Sequence, residues 1–296
     1  MDGRLSWETD GRDWPNRDAS RFVRTEGLRW HVQQMGSGPV LLLLHGTGAS
    51  THSWRALAPL LARRFTVVAP DLPGHGFTQA PPDNLLTLPG MARGIGALLR
   101  TLDLHPAMVA GHSAGAAVMI RMTLDKIIKP EALVSLNGAL MPFRGVVGQF
   151  FSPLAKLLFL NPFVPRMFAR RAADRSAVKR LIGNTGSTID ETGLELYRRL
   201  VSSPPHVAAA LGMMASWDLG PLLRDLPKLR VPVLLLAGGE DRTIPSDQAF
   251  RVRDMLPSAR VEYLRGLGHL AHEERPEDIA RTMLEFAVSL HVLPED

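Results

Sequence analysis

Cysteine is absent from the 296 residues. That excludes disulfides, thiolate metal sites and cysteine nucleophiles, and it suits a reducing compartment such as the cytoplasm. Long apolar runs are missing too: none approaches the roughly 20 residues that span a bilayer, so a soluble or at most peripheral protein is expected. Residues 1–20 are polar and mixed in charge, lack the apolar core of a signal peptide, and read as a loose leader. No cluster of His, Asp and Glu has metal-ligand spacing and no G-x-G-x-x-G opens a helix, so neither a metal nor a nucleotide cofactor is expected. There is no internal repeat. The charge balance, 34 Lys and Arg against 29 Asp and Glu, gives a formal +5. It mildly favours anionic partners, such as an anionic membrane surface or a carboxylated small molecule, and no nucleic-acid-binding signature accompanies it.

What is present is an alternation of short apolar runs and amphipathic stretches. Arg21 to Thr25 and Leu28 to Gln34 read as two strands joined at Gly27. Val40-Leu41-Leu42-Leu43-Leu44, wholly apolar and preceded by Gly36-Ser37-Gly38-Pro39, reads as a strand buried on both faces. A helix is expected at Ser53 to Ala62, a strand at Thr66 to Ala69 and an amphipathic helix at Met91 to Leu102. Strand, helix and strand follow at Met108 to Ala110, Gly115 to Asp125 and Ala132 to Leu136. Towards the end come Val231 to Ala237, Ser246 to Leu256, Arg260 to Leu264 and the closing helix Pro276 to Leu290. Strands alternating with helices of these lengths imply an α/β fold with a mostly parallel sheet covered on both sides. Residues 141–219 break the rhythm with helical stretches and no convincing strand. They read as a helical cap inserted between the core segments 21–140 and 220–296.

Three loops carry chemistry. Gly111-His112-Ser113-Ala114-Gly115 follows a strand and opens a helix, the context of a G-x-S-x-G nucleophile elbow. Its glycines clear space for a strained turn that lifts the Ser113 hydroxyl above the sheet, over a helix N-terminus that favours negative charge. Gly238-Gly239-Glu240-Asp241 follows a buried strand; Asp241 is assigned as the acid that orients an imidazole, with Glu240 as its rival. Gly266-Leu267-Gly268-His269 follows the last strand and supplies the base, His269, with His272 the nearby alternative that packs or caps by Glu273 and Glu274. Ser, Asp and His in that order, spaced by 128 and 28 residues, match the chain order of the α/β-hydrolase fold. For the oxyanion, the backbone N–H of Ala114 is one donor. The second is assigned to Thr47 in the loop His45-Gly46-Thr47-Gly48, with Gly48 as its neighbour. Removing such a donor costs on the order of 10²–10³ in rate. His45 and His75 read as structural residues of their loops. A serine rather than an aspartate at the elbow points to an acyl-enzyme, with ester hydrolysis as the default reaction.

Specificity is expected from the cap. Its apolar stretch includes Phe151, Leu154 and Leu158, and a run of basic residues from Arg166 to Arg180 follows. Met214 and Trp217 are candidates for the far wall of a hydrophobic pocket. A cap helix that simply packs its apolar stripe on the core explains the same composition.

Several phrases are narrower than these motifs: Trp14 to Val23, Leu28 to Val32, Ser135 to Leu140, Phe151-Ser152-Pro153-Leu154-Ala155-Lys156, Gly183-Asn184-Thr185-Gly186-Ser187-Thr188 and Ser216-Trp217-Asp218-Leu219. On these the chain resembles the BchO-type proteins of the α/β-hydrolase superfamily, the magnesium-chelatase accessory proteins of photosynthetic bacteria. The resemblance runs from about Trp14 to Pro276. It implies a role in bacteriochlorophyll synthesis near magnesium insertion into protoporphyrin IX. It also implies a tetrapyrrole-type ligand and magnesium-chelatase subunits as partners; the missing cysteine suits a cytoplasmic site, and the apolar cap with its basic rim suits peripheral contact at the inner membrane. Two readings follow: a serine esterase acting on a hydrophobic ester, or a tetrapyrrole carrier or chelatase assembly factor on a retained hydrolase fold.

Overall fold

In the computed structural model, which describes residues 3–25, 27–81, 83–142, 163–172 and 174–295, eight strands form one sheet. They are β1 (Ser20–Thr25), β2 (Leu28–Met35), β3 (Val40–Leu44), β4 (Thr66–Pro70), β5 (Met108–His112), β6 (Ala132–Leu136), β7 (Val233–Gly238) and β8 (Ala259–Leu264). The spatial order is β1-β2-β4-β3-β5-β6-β7-β8. β2 runs antiparallel to β1 and β4, and the remaining pairs are parallel. From β3 the chain goes to one neighbour, β4, and then to the other, β5. That reversal opens a crevice at the carboxyl ends of the strands, where open α/β sheets bind ligands.

The all-apolar β3 explains the two-sided burial. Leu42 and Leu44 belong to one core, with Met91 and Ile95 of helix α2 (Leu88–Leu102) and Val118 of helix α3 (Ala114–Leu124). Leu41 and Leu43 face the other, with Leu57 and Leu61 of helix α1 (Leu57–Leu61) and Ile279, Met283 and Phe286 of the closing helix Pro276–Ser289. All four leucines are fully buried. Alternation of period two thus feeds two cores from one strand.

Two expectations change. The helix expected at Ser53 to Ala62 is a 3-10 turn, Thr51–Trp54, followed by the short α1. The turn's backbone is recruited elsewhere: the Thr51 N–H donates to Asp71 Oδ1 at 2.7 Å, and the Ser50 hydroxyl bonds His52 Nδ1 at 2.8 Å. The leader is not loose. Trp14 is buried against Phe77, Leu196 and Leu200 and donates its indole N–H to Thr51 Oγ1 at 3.1 Å. Asp13 receives Arg199 through both carboxylate oxygens, one at 2.7 Å. A buried indole and an ion pair dock this polar stretch.

Among its described residues the interval read as a cap holds helices Phe163–Ala172, Arg175–Gly183, Glu191–Val201 and Pro204–Ser216, and no strand. Glu191–Val201 is anchored to the core by Tyr197, whose hydroxyl donates to the buried Glu273 at 2.7 Å. Its N-cap, Asp190, pairs with Arg55 at 2.9 Å, and Arg55 also pairs with Glu273.

Candidate active site

Ser113 stands between β5 and α3 with φ +51 and ψ −116, outside the regions a side chain normally occupies. The surroundings hold it there. Its N–H donates to Leu136 O at 3.0 Å, and its carbonyl accepts from Ala116 at 3.1 Å and Ala139 at 3.0 Å. A Cβ on Gly115 would lie 2.1 Å from Leu44 O, and one on Gly111 would lie 2.4 Å from the Gly115 carbonyl carbon. Both glycines are therefore required by close backbone approach, as the elbow motif predicts. Strain that is over-determined in this way collects at functional sites.

Asp241 and His269 come from the loops after β7 and β8, and both are buried. His269 Nδ1 lies 2.8 Å from Asp241 Oδ2. The same oxygen accepts from Asn137 Nδ2 at 2.8 Å, while Oδ1 accepts from the N–H groups of Thr243 at 2.7 Å and Ile244 at 2.8 Å. A carboxylate held by that many donors fixes a proton on Nδ1 and leaves Nε2 to accept. Glu240, the rival, is exposed and presents only its backbone to the loop. His112 supports His269: its Nε2 donates to His269 O at 2.9 Å and the two rings sit 4.7 Å apart. Burial holds His112 well below the usual imidazole range, so it is neutral.

The alternative histidines are elsewhere. His272 is fully buried, bonded to Ser53 Oγ at 3.1 Å, and pushed down to about 3 by burial, then by the neighbouring His269 and Arg55. It packs against Trp54 and His112 rather than capping a helix. His45 Nε2 accepts from Leu72 N at 2.8 Å and its Nδ1 donates to Gly46 O at 2.8 Å, bracing the loop that carries Thr47. His75 is buried between His45 and His206, its Nδ1 donating to Pro73 O at 3.1 Å.

Ser113 and His269 line one cavity of about 520 Å³, together with Thr47, Ala114, Met214 and Trp217. The serine, base, oxyanion and far-wall residues named from sequence thus share one space, with Asp241 directly behind His269. Ala114 is the first residue of α3, so its N–H has no intrahelical acceptor. The Thr47 hydroxyl donates to Met213 Sδ at 3.4 Å, which fixes its side chain against the cap. Phe151, Leu154 and Leu158 lie outside the described residues.

Sequence reasoning missed the part of the cap that touches the site. The loop after helix Arg175–Gly183 wedges against both the acid and the base loops. Thr185 O accepts from Arg242 N at 3.1 Å and His269 N at 3.4 Å, and Ser187 Oγ accepts from Leu270 N at 2.8 Å. Gly186, at φ +85, leaves no room for a side chain: a Cβ would sit 1.8 Å from Glu240 O. Leu181, Ile182 and Tyr197 complete an apolar wall. The phrase Gly183 to Thr188 was visible in the sequence, but nothing local ties it to loops 55 to 85 residues away.

Among the described residues no group of three or more His, Asp and Glu is placed to hold a metal. None of their helices is long and apolar enough to cross a membrane.

Comparison with known proteins agrees with this fold. The alpha/beta hydrolase family matches residues 41–282. The chain is 39% identical over 276 residues to the magnesium-chelatase 30 kDa subunit of Rhodobacter capsulatus, covering 93% of this chain and 96% of that protein. It is 25% identical to the 2-hydroxy-6-oxo-2,4-heptadienoate hydrolase of Pseudomonas putida, over 92% of this chain and 97% of that one. An alpha/beta hydrolase fold protein from Burkholderia ambifaria superimposes with a TM-score of 0.76 at 26% identity, covering 90% of this chain and 98% of that structure.

Proposed function

The chain belongs to the alpha/beta hydrolase family, and on that footing we propose that it is a serine hydrolase of esterase type, working through an acyl-enzyme. The observation that carries this reading is the strained Ser113, over-held at positive φ above a helix N-terminus, in one cavity with an Asp-oriented His269. A merely structural turn has no use for that conformation.

In this mechanism His269 Nε2 takes the Ser113 hydroxyl proton as Oγ attacks the carbonyl carbon of an ester. The oxyanion is held by the N–H groups of Thr47 and Ala114. As the tetrahedral intermediate collapses, His269 returns the proton to the leaving alcohol and Ser113 carries the acyl group. Water, deprotonated by His269, then releases the acid and restores the serine. Asp241 stays ionised throughout and stabilises the imidazolium. The apolar wall of Leu181, Ile182, Met214 and Trp217 selects a hydrophobic substrate.

The relative named as a magnesium-chelatase subunit motivates the biological setting. We place the activity in the cytoplasm beside magnesium chelatase, with peripheral membrane contact and a tetrapyrrole or another hydrophobic ester as substrate. The same relative, with the roomy apolar cavity, favours a second reading: a tetrapyrrole carrier or chelatase accessory factor in which the serine is idle. Active-site labelling separates the two. Fluorophosphonate should add covalently to wild type and not to Ser113→Ala, and protoporphyrin IX should slow the addition. Folded wild type that stays unlabelled while still binding the porphyrin would overturn the hydrolase reading in favour of the carrier.

A further inference from the structure

We infer that Arg242 receives a carboxylate on the substrate, so that the preferred ester is amphiphilic, apolar along its length and anionic at one end. This rests on the hydrolase reading for the position of the reacting bond, while the recognition itself needs only the cavity.

Among the described residues that line the cavity, Arg242 carries the sole formal charge. Its guanidinium has no hydrogen-bond or ion-pair partner among the described residues. Residues 143–162 contain no Asp or Glu. The adjacent acid is not its partner: Asp241 points the other way and is saturated by His269, Asn137 and the N–H groups of Thr243 and Ile244. Other arginines of this chain are engaged, Arg121 with Asp125 and Asp225, Arg199 with Asp13.

The backbone of Arg242 is also fixed. Its N–H donates to Thr185 O at 3.1 Å, and its Cγ is among the atoms that a Cβ on Gly186 would meet, so the stem leaves the loop beside Gly186. The peptide preceding it belongs to the acid that orients the base. Arg242 thus rises from a fixed backbone position into the cavity that holds the serine, and a planar guanidinium matches a carboxylate through two parallel hydrogen bonds. Chain length between the scissile carbonyl and the carboxylate should therefore be read as sharply as charge. Because Arg242 is open to water, the contact is worth about a five-fold change rather than a hundred-fold one.

The test pairs p-nitrophenyl half-esters of linear dicarboxylic acids, from four to ten carbons, with fatty-acid esters of the same lengths. Wild type should favour the half-ester over its neutral partner at one or two lengths. In Arg242→Gln that selectivity ratio should fall about five-fold, carried by KM, and Arg242→Lys should retain part of it. An unchanged ratio across the series in a variant of normal thermal stability would overturn the proposal. A second arm needs no turnover: binding of cis-parinaric acid and its methyl ester to Ser113→Ala with and without Arg242→Gln. Selective weakening of the acid supports the carboxylate site even if no ester is hydrolysed. Equal weakening of both ligands, or of neither, rejects it.

Discussion

A His–Asp hydrogen bond of 2.8 Å occurs twice among the described residues, and each histidine has a serine for company. His269 bonds Asp241 and shares a cavity with Ser113. His31, on β2, bonds Asp71 through Nδ1 and lies 3.0 Å from Ser20 Oγ through Nε2. By side-chain connectivity the second array is the more complete of the two. What differs is everything around the serine. Ser20 begins an edge strand at φ −83 in ordinary extended backbone, and its hydroxyl also accepts from Gln33 Nε2 at 3.2 Å. Trp7, Phe22 and Phe77 pack their rings around His31. Ser113 has the positive φ, the helix start and the open cavity. The comparison teaches that a His–Asp pair beside a serine does not by itself mark a reactive site: only one of the two serines combines positive φ, a helix start and a cavity, and the other pair is a buried strut.

Asp71 shows what the strut does. It accepts from Thr51 N, His31 and Phe77 N, tying the loop after β4 to the leader side of the sheet. Burial opposes its ionisation, yet His31 and these donors hold the carboxyl well below the usual aspartate range. A depressed carboxylate stabilises the fold above its unfolded pKa and loses that contribution as pH falls below it, here from about pH 4 downwards.

The largest effect should separate the two carboxylates by activity. Asp241→Asn should lower turnover of an activated ester about 10⁴-fold, while Glu240→Gln stays within a few-fold. The reverse pattern, a crippled Glu240→Gln and a near-normal Asp241→Asn, would move the assignment to Glu240. The next effect is in stability. Asp71→Asn should cost about 3 kcal/mol in urea denaturation at pH 7, since backbone donors at Thr51 and Phe77 lose an anionic acceptor. The deficit should shrink below pH 4, and kcat of the folded protein should hold. A collapse of kcat at unchanged stability would make the second array a catalytic element. The smallest effect belongs to Ser20→Ala: about 1 kcal/mol of stability and no change in turnover. Any ten-fold loss of activity there would break the contrast.

That Ser113, Asp241 and His269 meet at one end of the sheet was legible in the sequence, because their motifs are local. The elbow needs Gly111 and Gly115 within four residues of each other, and the acid and base each follow an apolar strand. The five-residue run Val40 to Leu44 announced its two-sided burial by having no polar member. What stayed hidden depends on distant packing. Tyr197, Thr185 and Ser187 reach the site only because the cap folds back over 80 residues to meet the β8 loop. The leader docks through Trp14, whose partners Phe77, Leu196 and Leu200 lie more than 60 residues away. Where a helix is expected at Ser53 to Ala62, the chain makes a 3-10 turn and a short helix, and the Thr51 N–H of that turn is held by Asp71, a contact invisible to a local pattern.

The central claim, that the strained serine and not the hydrogen-bonded one is the nucleophile, is tested most directly by mapping where a fluorophosphonate attaches. Peptide mass spectrometry after labelling wild type should find the adduct on Ser113 alone. Intact mass should show full labelling of Ser20→Ala and none of Ser113→Ala. An adduct on Ser20, or labelling that survives in Ser113→Ala, would contradict the account.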